Sequence, residues 1–341
     1  MKVLHIGNFG YRSHGESFYN IDRKLSAGFT RNGHFVYEFS LRDMARMSNI
    51  FKTKKLGKRW AGAEILRICE KLEPELVLLG HAQMLMGDTL KQIKLRWPNT
   101  KIVLWYVDAL FYEDKTQYMY DFEPYLDAVF ATTGGEYLQR LLPNTVRAFI
   151  PNIVDSSVES LKNFEKRTFN HELIFCGSIG DDIQRKQFLE EVQSGLSDLP
   201  LSLNGIFGHP IIKGMDYIRA VGKARMGLNY SRRNDVCLYS SDRIAQLTGH
   251  GLLTFTPRIP EFDLIYKDDE VRYFDTTAEL VEMTRYYANH PDEAAQIAEA
   301  GWKRAHESCS TERVTRFMEE VIFNRPYSEL YEWLPHVFKA K

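Results

Sequence analysis

The sequence is poor in the features that mark several large classes of protein. Only four of its 341 residues are cysteines, Cys69, Cys176, Cys237 and Cys309, and they lie far apart. They form no C-x-x-C pair and no zinc-ligand spacing, which excludes the common structural zinc sites and favours a reducing compartment. Charge of one sign is not in excess: 44 Lys and Arg stand against 45 Asp and Glu, a formal net charge of -1. A chain without a global positive field is not expected to take nucleic acid as a partner. No apolar run has the length of a membrane span, and the chain opens on the strand-like Lys2-Val3-Leu4-His5-Ile6 rather than on a secretory leader. A cytoplasmic protein is expected, at most peripheral to the inner face of a membrane. The only dense basic run is Lys52–Arg59. It reads first as a solvated face, with contact to anionic lipid headgroups or a charged acceptor as the alternative.

Nucleotide and metal signatures are also incomplete. The loop Gly7–Gly15 is rich in glycine but is not G-x-G-x-x-G, and no Lys-Ser/Thr follows its last glycine. That argues against a standard dinucleotide dehydrogenase and a P-loop kinase. There is no D-x-D pair and no two-metal carboxylate cluster. No metal and no cofactor are expected, so any departing phosphate would be neutralised by protein cations and helix dipoles.

What the chain does have is 44% hydrophobic and 26% charged residues, a globular composition, and length enough for two cores. In the first half, short apolar runs predict strands at Val3–Ile6, His34–Phe39, Glu75–Leu79, Lys101–Val107, Ala128–Thr132 and Val146–Ile150. Between them, helices are expected over about Ser17–Arg31, Ala61–Leu72 and Met84–Arg96. The alternation predicts a parallel, doubly wound sheet. Pro151–Asp155 reads as a boundary and the polar Ser156–Asn170 as a linker. The same grammar then restarts. Strands are expected at Glu172–Cys176, Leu201–Leu203, Met226–Asn229 and Val271–Phe274, and helices over Ile183–Gln193, Thr277–Tyr287, Asp292–Ser308 and about Thr311–Phe323. The fold class is therefore α/β, with Rossmann-like domains over 1–155 and 156–310. Residues 311–341 form a helix and aromatic tail expected to pack back on the first domain.

One segment carries more information than the rest. Ser240-Ser241-Asp242-Arg243-Ile244-Ala245-Gln246-Leu247-Thr248-Gly249-His250-Gly251 precedes the apolar Leu252–Pro257. It reads as a helix capped by Ser240 or Ser241, a glycine stop and a buried strand. Such a helix start can hold a phosphate, although alone an ordinary helix–turn–strand unit explains it.

In open parallel sheets ligands bind beyond the carboxyl ends of the strands. That rule nominates Gly10, His14 and Gly15 as an acceptor or phosphate loop, and His81 and Asp108 as acid–base groups. His81 can serve as a base near neutral pH, and Asp108 as a base, an orienter of a histidine or a turn cap. In the second half the rule nominates Gly177, Ser178, His209 and the Tyr239–Arg243 turn. Arg185, Lys186 and Arg243 are the cations near these turns, and arginine suits a bidentate grip on phosphate.

With these residues in view, the chain resembles GT-B glycosyltransferases, particularly the branch similar to the spore maturation protein CgeB. The resemblance is carried, in order, by LIFCGSI, an Arg-bearing helix, YIRAVGKARMGLNYSRR and SSDRIAQLTGHGLLTF, with LWYVDALF and VRAFIPNIVD in the first half. It implies two Rossmann-like domains facing across a cleft, a nucleotide-sugar donor held mainly by the second domain, an acceptor held mainly by the first, and no catalytic metal. By the same resemblance, Gly177 and Ser178 would approach the diphosphate or sugar, Arg185 would neutralise phosphate, and the Tyr239–Arg243 turn would bind the diphosphate. Gln246 falls where the family often has a ribose-binding Glu. The partner Glu of retaining relatives would fall at Leu238, which cannot play that role. The expected function is metal-independent transfer of a sugar to a saccharide, lipid-linked saccharide or other hydroxyl acceptor, in surface polysaccharide or glycoconjugate synthesis. A nucleotide-sugar epimerase and a non-catalytic nucleotide-sugar-binding subunit are the rivals.

Overall fold

The computed structural model describes residues 1–341 in two units, Met1–Pro151 with Thr311–Lys341, and Asn152–Ser310. The first unit is built on a seven-stranded sheet. Its strands are β1 (Lys2–Gly7), β2 (Phe35–Ser40), β3 (Leu76–Gly80), β4 (Lys101–Tyr106), β5 (Ala128–Ala131), β6 (Val146–Phe149) and, from the tail, β12 (Val337–Phe338). The second unit holds β7 (His171–Cys176), β8 (Leu201–Asn204), β9 (Ala224–Leu228), β10 (Leu253–Pro257) and β11 (Arg272–Phe274). Every strand expected from an apolar run is present. The two-residue β12 carries no such run and was not foreseen.

The order in the first sheet is β12-β6-β5-β4-β3-β1-β2, parallel throughout except that β12 runs antiparallel to β6. All five residues of β3 are buried, as befits a central strand covered on both faces. The order reverses between β1 and β3, so their carboxyl ends, Gly7 and Gly80, flank a switch point. Helix Thr311–Ile322 is fastened onto helix Ile21–Arg31. Gly28 makes that approach possible, since a Cβ there would lie 2.5 Å from the Thr311 carbonyl oxygen. Asn32 Nδ2 donates to the Glu312 carbonyl and to Thr315 Oγ1, each at 2.9 Å. Helices Leu41–Met47, Glu113–Thr116, Tyr118–Phe122 and Gly135–Arg140 are additional to the expected pattern, and the helix expected from Ala61 begins at Lys54.

The second sheet has the order β11-β10-β9-β7-β8, all parallel, with its switch point between β7 and β9. Its core gathers Leu173, Phe175, Leu189, Met226, Phe255 and Leu280. Residues 156–170 are not a loose linker. Glu159 and Asn163 are buried in this unit, and Asn163 Nδ2 donates to the carbonyls of Val221 and Ala224, each at 2.9 Å. The segment is polar because its side chains satisfy buried backbone groups. Polarity alone mimicked a linker.

Candidate functional site

At the first switch point, Asp22 lies in the first turn of helix Ile21–Arg31, yet its carboxylate is directed inward. Two glycines admit it. A Cβ on Gly7 would lie 2.7 Å from the Asp22 carboxyl carbon, and one on Gly80 would lie 2.1 Å from Oδ1. Oδ1 accepts from Trp105 Nε1 at 3.1 Å and pairs with His5 Nε2 at 3.2 Å. Oδ2 accepts from the Asn8 amide at 2.8 Å and pairs with His81 Nδ1 at 3.2 Å. Burial alone would raise this carboxyl, but the hydrogen bonds and charges of His5 and His81 prevail and hold it far below the usual carboxylate range. Against an ionised Asp22, His81 carries its proton on Nδ1, which leaves Nε2 as the acceptor.

His81 directly follows β3 in the left-handed backbone region, φ 51°, and its side chain is 27% exposed. Burial would lower its pKa, but the Asp22 hydrogen bond, with the charges of Asp22 and Asp108, raises it above the ordinary histidine value. This is the arrangement of an oriented base. The orienter is Asp22, which the linear sequence did not nominate. Asp108 is exposed and makes no hydrogen bond to the imidazole, so it acts on His81 only through its charge. Nearby, the phenols of Tyr106 and Tyr118 are buried without hydrogen-bond partners, and both are pushed up by burial first and by Asp108 further.

The glycine loop commits several of its amides within the fold. Gly10 and Gly15 take φ of +60° and +86° and His14 takes 50°, but His14 and Gly15 are exposed. The amides of Asn8 and Tyr11 are occupied by Asp22 and Asp43, and those of Ser13, Glu16 and Phe18 by turn carbonyls. The amides that hold Asp22 and Asp43 are not available to a further anion. The helix after it starts at Ile21 instead of Ser17, capped by Asn20.

At the second switch point, Gly177 follows β7 and two guanidinium groups converge on it. A Cβ at Gly177 would lie 2.7 Å from Arg243 Nη2 and 3.0 Å from Arg185 Nη2. Both cations lie over the Phe175 ring, at 4.8 and 5.4 Å from its centre. Arg243 Nε donates to the Cys176 carbonyl at 2.7 Å and Nη1 to Ser241 Oγ at 2.9 Å, neither of them a carboxylate. Arg185 is 5% exposed and its Nε has no partner. Burial, with the charges of Arg243 and Arg232, lowers Arg185 to about 10. Arg232 reaches the same loop, 3.2 Å from where a Gly180 Cβ would stand. Arg232 and Tyr230 follow β9, so this cluster is set by the ends of both switch-point strands. Arg232 was legible only as part of the SRR run.

The other nominated residues divide. Tyr239 and Ser240 are buried, and Ser178 and His209 are exposed on loops. Lys186 is turned to solvent and paired with Glu190 at 3.6 Å, so it does not join the arginines. One residue along a helix rotates the side chain by roughly 100°, and Arg185 holds the inward position. Ser240 and Ser241 do not cap the following helix. Ser240 bonds with Asn229, and Ser241 Oγ accepts from Arg243. That helix is short, Arg243–Gly249, and its preceding residue Asp242 makes no side-chain cap. Gln246 Nε2 donates to Asp242 Oδ2 at 2.6 Å, while Asp242 Oδ1 is buried without a partner. Leu238 is buried at 1% exposure with φ 55°.

Residues 185–320 match the model of a family described as glycosyl transferase-like. Solved structures share the two-unit fold at low identity. Sucrose-phosphate synthase from Thermosynechococcus elongatus has a TM-score of 0.64 at 9% identity, covering 95% of this chain and 98% of that one. HepE of Anabaena in complex with UDP-glucose has a TM-score of 0.56 at 12% identity, covering 95% and 100%. A glycosyltransferase from Rickettsia africae has a TM-score of 0.56 at 12% identity, covering 95% and 98%. No curated protein matches the chain by sequence. The fold is that of GT-B glycosyltransferases, and the glycosyl transferase-like family match covers residues 185–320, less than half of the chain. The match is to the broad class and selects no branch within it.

Proposed function

We propose that this protein transfers a glycosyl group from a nucleoside-diphosphate sugar to a hydroxyl of a saccharide or lipid-linked acceptor, in the cytoplasm and without a metal. One observation carries the reading: Arg185 and Arg243 converge on Gly177, and neither is held in an ion pair, the charges of Asp182 and Asp242 acting on them only from a distance. Holding unpaired cations in a buried position is costly unless an anion completes the site. A diphosphate fits that need, and guanidinium groups suit its oxygens. HepE, which shares the fold, is known with UDP-glucose bound, and a uridine donor is the first to test.

In the reaction, the acceptor oxygen forms a bond to the anomeric carbon. The bond from that carbon to the β-phosphate oxygen breaks, and its electron pair leaves with the nucleoside diphosphate. Arg185 and Arg243 stabilise the charge that develops there. The acceptor proton goes to His81 Nε2, and Asp22 holds the imidazole and favours the imidazolium that results. With His81 in that role, the displacement is direct and inverts the anomeric centre.

Incubating the protein with a panel of nucleotide sugars and measuring nucleotide release, with and without candidate acceptors and with a chelator, tests this reading. Acceptor-dependent release that survives the chelator is the expected result. The engagement of Gln246 with Asp242 favours one rival, a subunit that binds donor without turning it over. Thermal stabilisation by a nucleotide sugar with no release under any acceptor would select it.

A further inference from the structure

Helices Leu41–Met47 and Lys54–Leu72 of the first unit are joined by a turn that presents apolar side chains to solvent. Ile50 is 92% and Phe51 75% exposed, with Met47 and Leu56 beside them in sequence at 66% and 62%. The turn is held in shape by Asn49. Its Nδ2 donates to the carbonyls of Ala45 and Thr53, each at 2.9 Å, and its Oδ1 accepts from the Thr53 amide at 3.1 Å. Gly57 brings the second helix against the first, since a Cβ there would lie 1.8 Å from the Ala45 carbonyl oxygen.

The charge around these tips has one sign. From Met44 to Ala63 every ionisable side chain is a cation. Lys52, Lys55 and Arg59 are exposed and lie outside the ion pairs that Arg46 and Arg67 make on either side. A basic field alone would suit any polyanion. A phenylalanine alone could stack on a base, but exposed Ile50, Met47 and Leu56 beside it have no such use and gain from the headgroup–acyl boundary of a bilayer. A second copy of the same face would set lysines against lysines.

We propose that this turn seats the first unit on an anionic lipid bilayer, with Ile50 and Phe51 inserted at the headgroup level and the lysines on lipid phosphates. The helix that leads into the turn also reaches the candidate base loop: Arg42 Nη2 donates to Gln83 Oε1 at 3.1 Å, two residues past His81. Docking would thus be linked through this helix to the loop that carries His81, which suits a lipid-linked acceptor. Docking itself stands on the surface alone, whereas its service to such an acceptor rests on the transferase reading.

Sedimentation of the full-length protein with vesicles, in the absence of nucleotide, tests the docking. Binding is expected to phosphatidylcholine vesicles that contain phosphatidylglycerol and not to phosphatidylcholine alone. Raising salt from about 0.1 M to about 1 M should weaken it. The double variants Ile50→Ser/Phe51→Ser and Lys52→Glu/Lys55→Glu should each lower vesicle affinity by about tenfold or more, with an unchanged circular dichroism spectrum showing that they fold. Failure to bind the anionic vesicles, or equal binding by both variants, would overturn docking. So would a dimer in light scattering that Ile50→Ser/Phe51→Ser dissolves. Vesicle binding by a protein that transfers sugar to no acceptor would leave docking in place and remove the transferase reading.

Discussion

His81 Nδ1 and a buried oxygen of Asp22 meet at 3.2 Å across 59 residues of chain. The pairing makes a strand-end histidine into an oriented base. His81→Gln should lower kcat by about 10²–10⁴, with little change in donor KM, in a nucleotide-release assay.

Asp22 also sets the pH range. It raises the His81 pKa, so the neutral base is reached only above the usual histidine value, about 6.5. The acid limb of the kcat/KM profile should lie above that pH and move down in Asp22→Asn, which lacks the negative charge. For stability the sign is opposite. A carboxyl held low in the folded state contributes fully above its unfolded pKa of about 3.9, and loses the contribution as pH falls below it. Denaturant titrations of wild type and Asp22→Asn should converge at low pH.

Arg185 separates binding from stability. Its buried guanidinium has an unpartnered Nε and no ion pair, with Asp182 acting only through its charge, so an apolar replacement of similar volume relieves a cost. Arg185→Met is expected to keep or raise Tm while abolishing stabilisation by nucleotides. Lys186→Ala, on the solvent face with Glu190, should change neither. Arg243→Ala should weaken nucleotide binding by about 1.5–3 kcal/mol, the range for a hydrogen bond to a charged group.

Gly80 has no room for a side chain, because Asp22 Oδ1 and Trp105 Nε1 would lie 2.1 and 2.2 Å from its Cβ. Gly80→Ala should cost about 1–3 kcal/mol in chemical denaturation. Its acid limb should shift down with that of Asp22→Asn, because it forces the carboxylate away from His81.

Gln246→Glu is not expected to restore a family-like ribose contact. It would replace a donor to Asp242 with a second carboxylate one helical turn away. Mutual repulsion raises the pKa of the pair, so donor affinity of the variant should fall as pH rises, as titration by calorimetry would show.

The strands were legible because parallel strands buried on both faces must be short, nearly continuous apolar runs, as β3 and β4 are. Gly177, Arg185 and Arg243 were legible as a glycine turn and cations near strand ends. Their convergence was not, since it depends on which helix face turns inward. Lys186 showed the same linear signal and points to solvent. Ser240 and Ser241 showed a capping signal that side-chain competition from Asn229 and Arg243 removed.

Local order along the chain, set by hydrophobic period and by glycine and proline punctuation, thus determined the α/β class and its strand rims. Only the tertiary structure decided the partners. Asp22 reaches His81 because two glycines from different strands leave space for a carboxylate between them. Arg185 and Arg243 meet because β7 and β9 lie side by side. Both relationships depend on distances between segments remote in sequence, and those distances exist only after the sheet has formed.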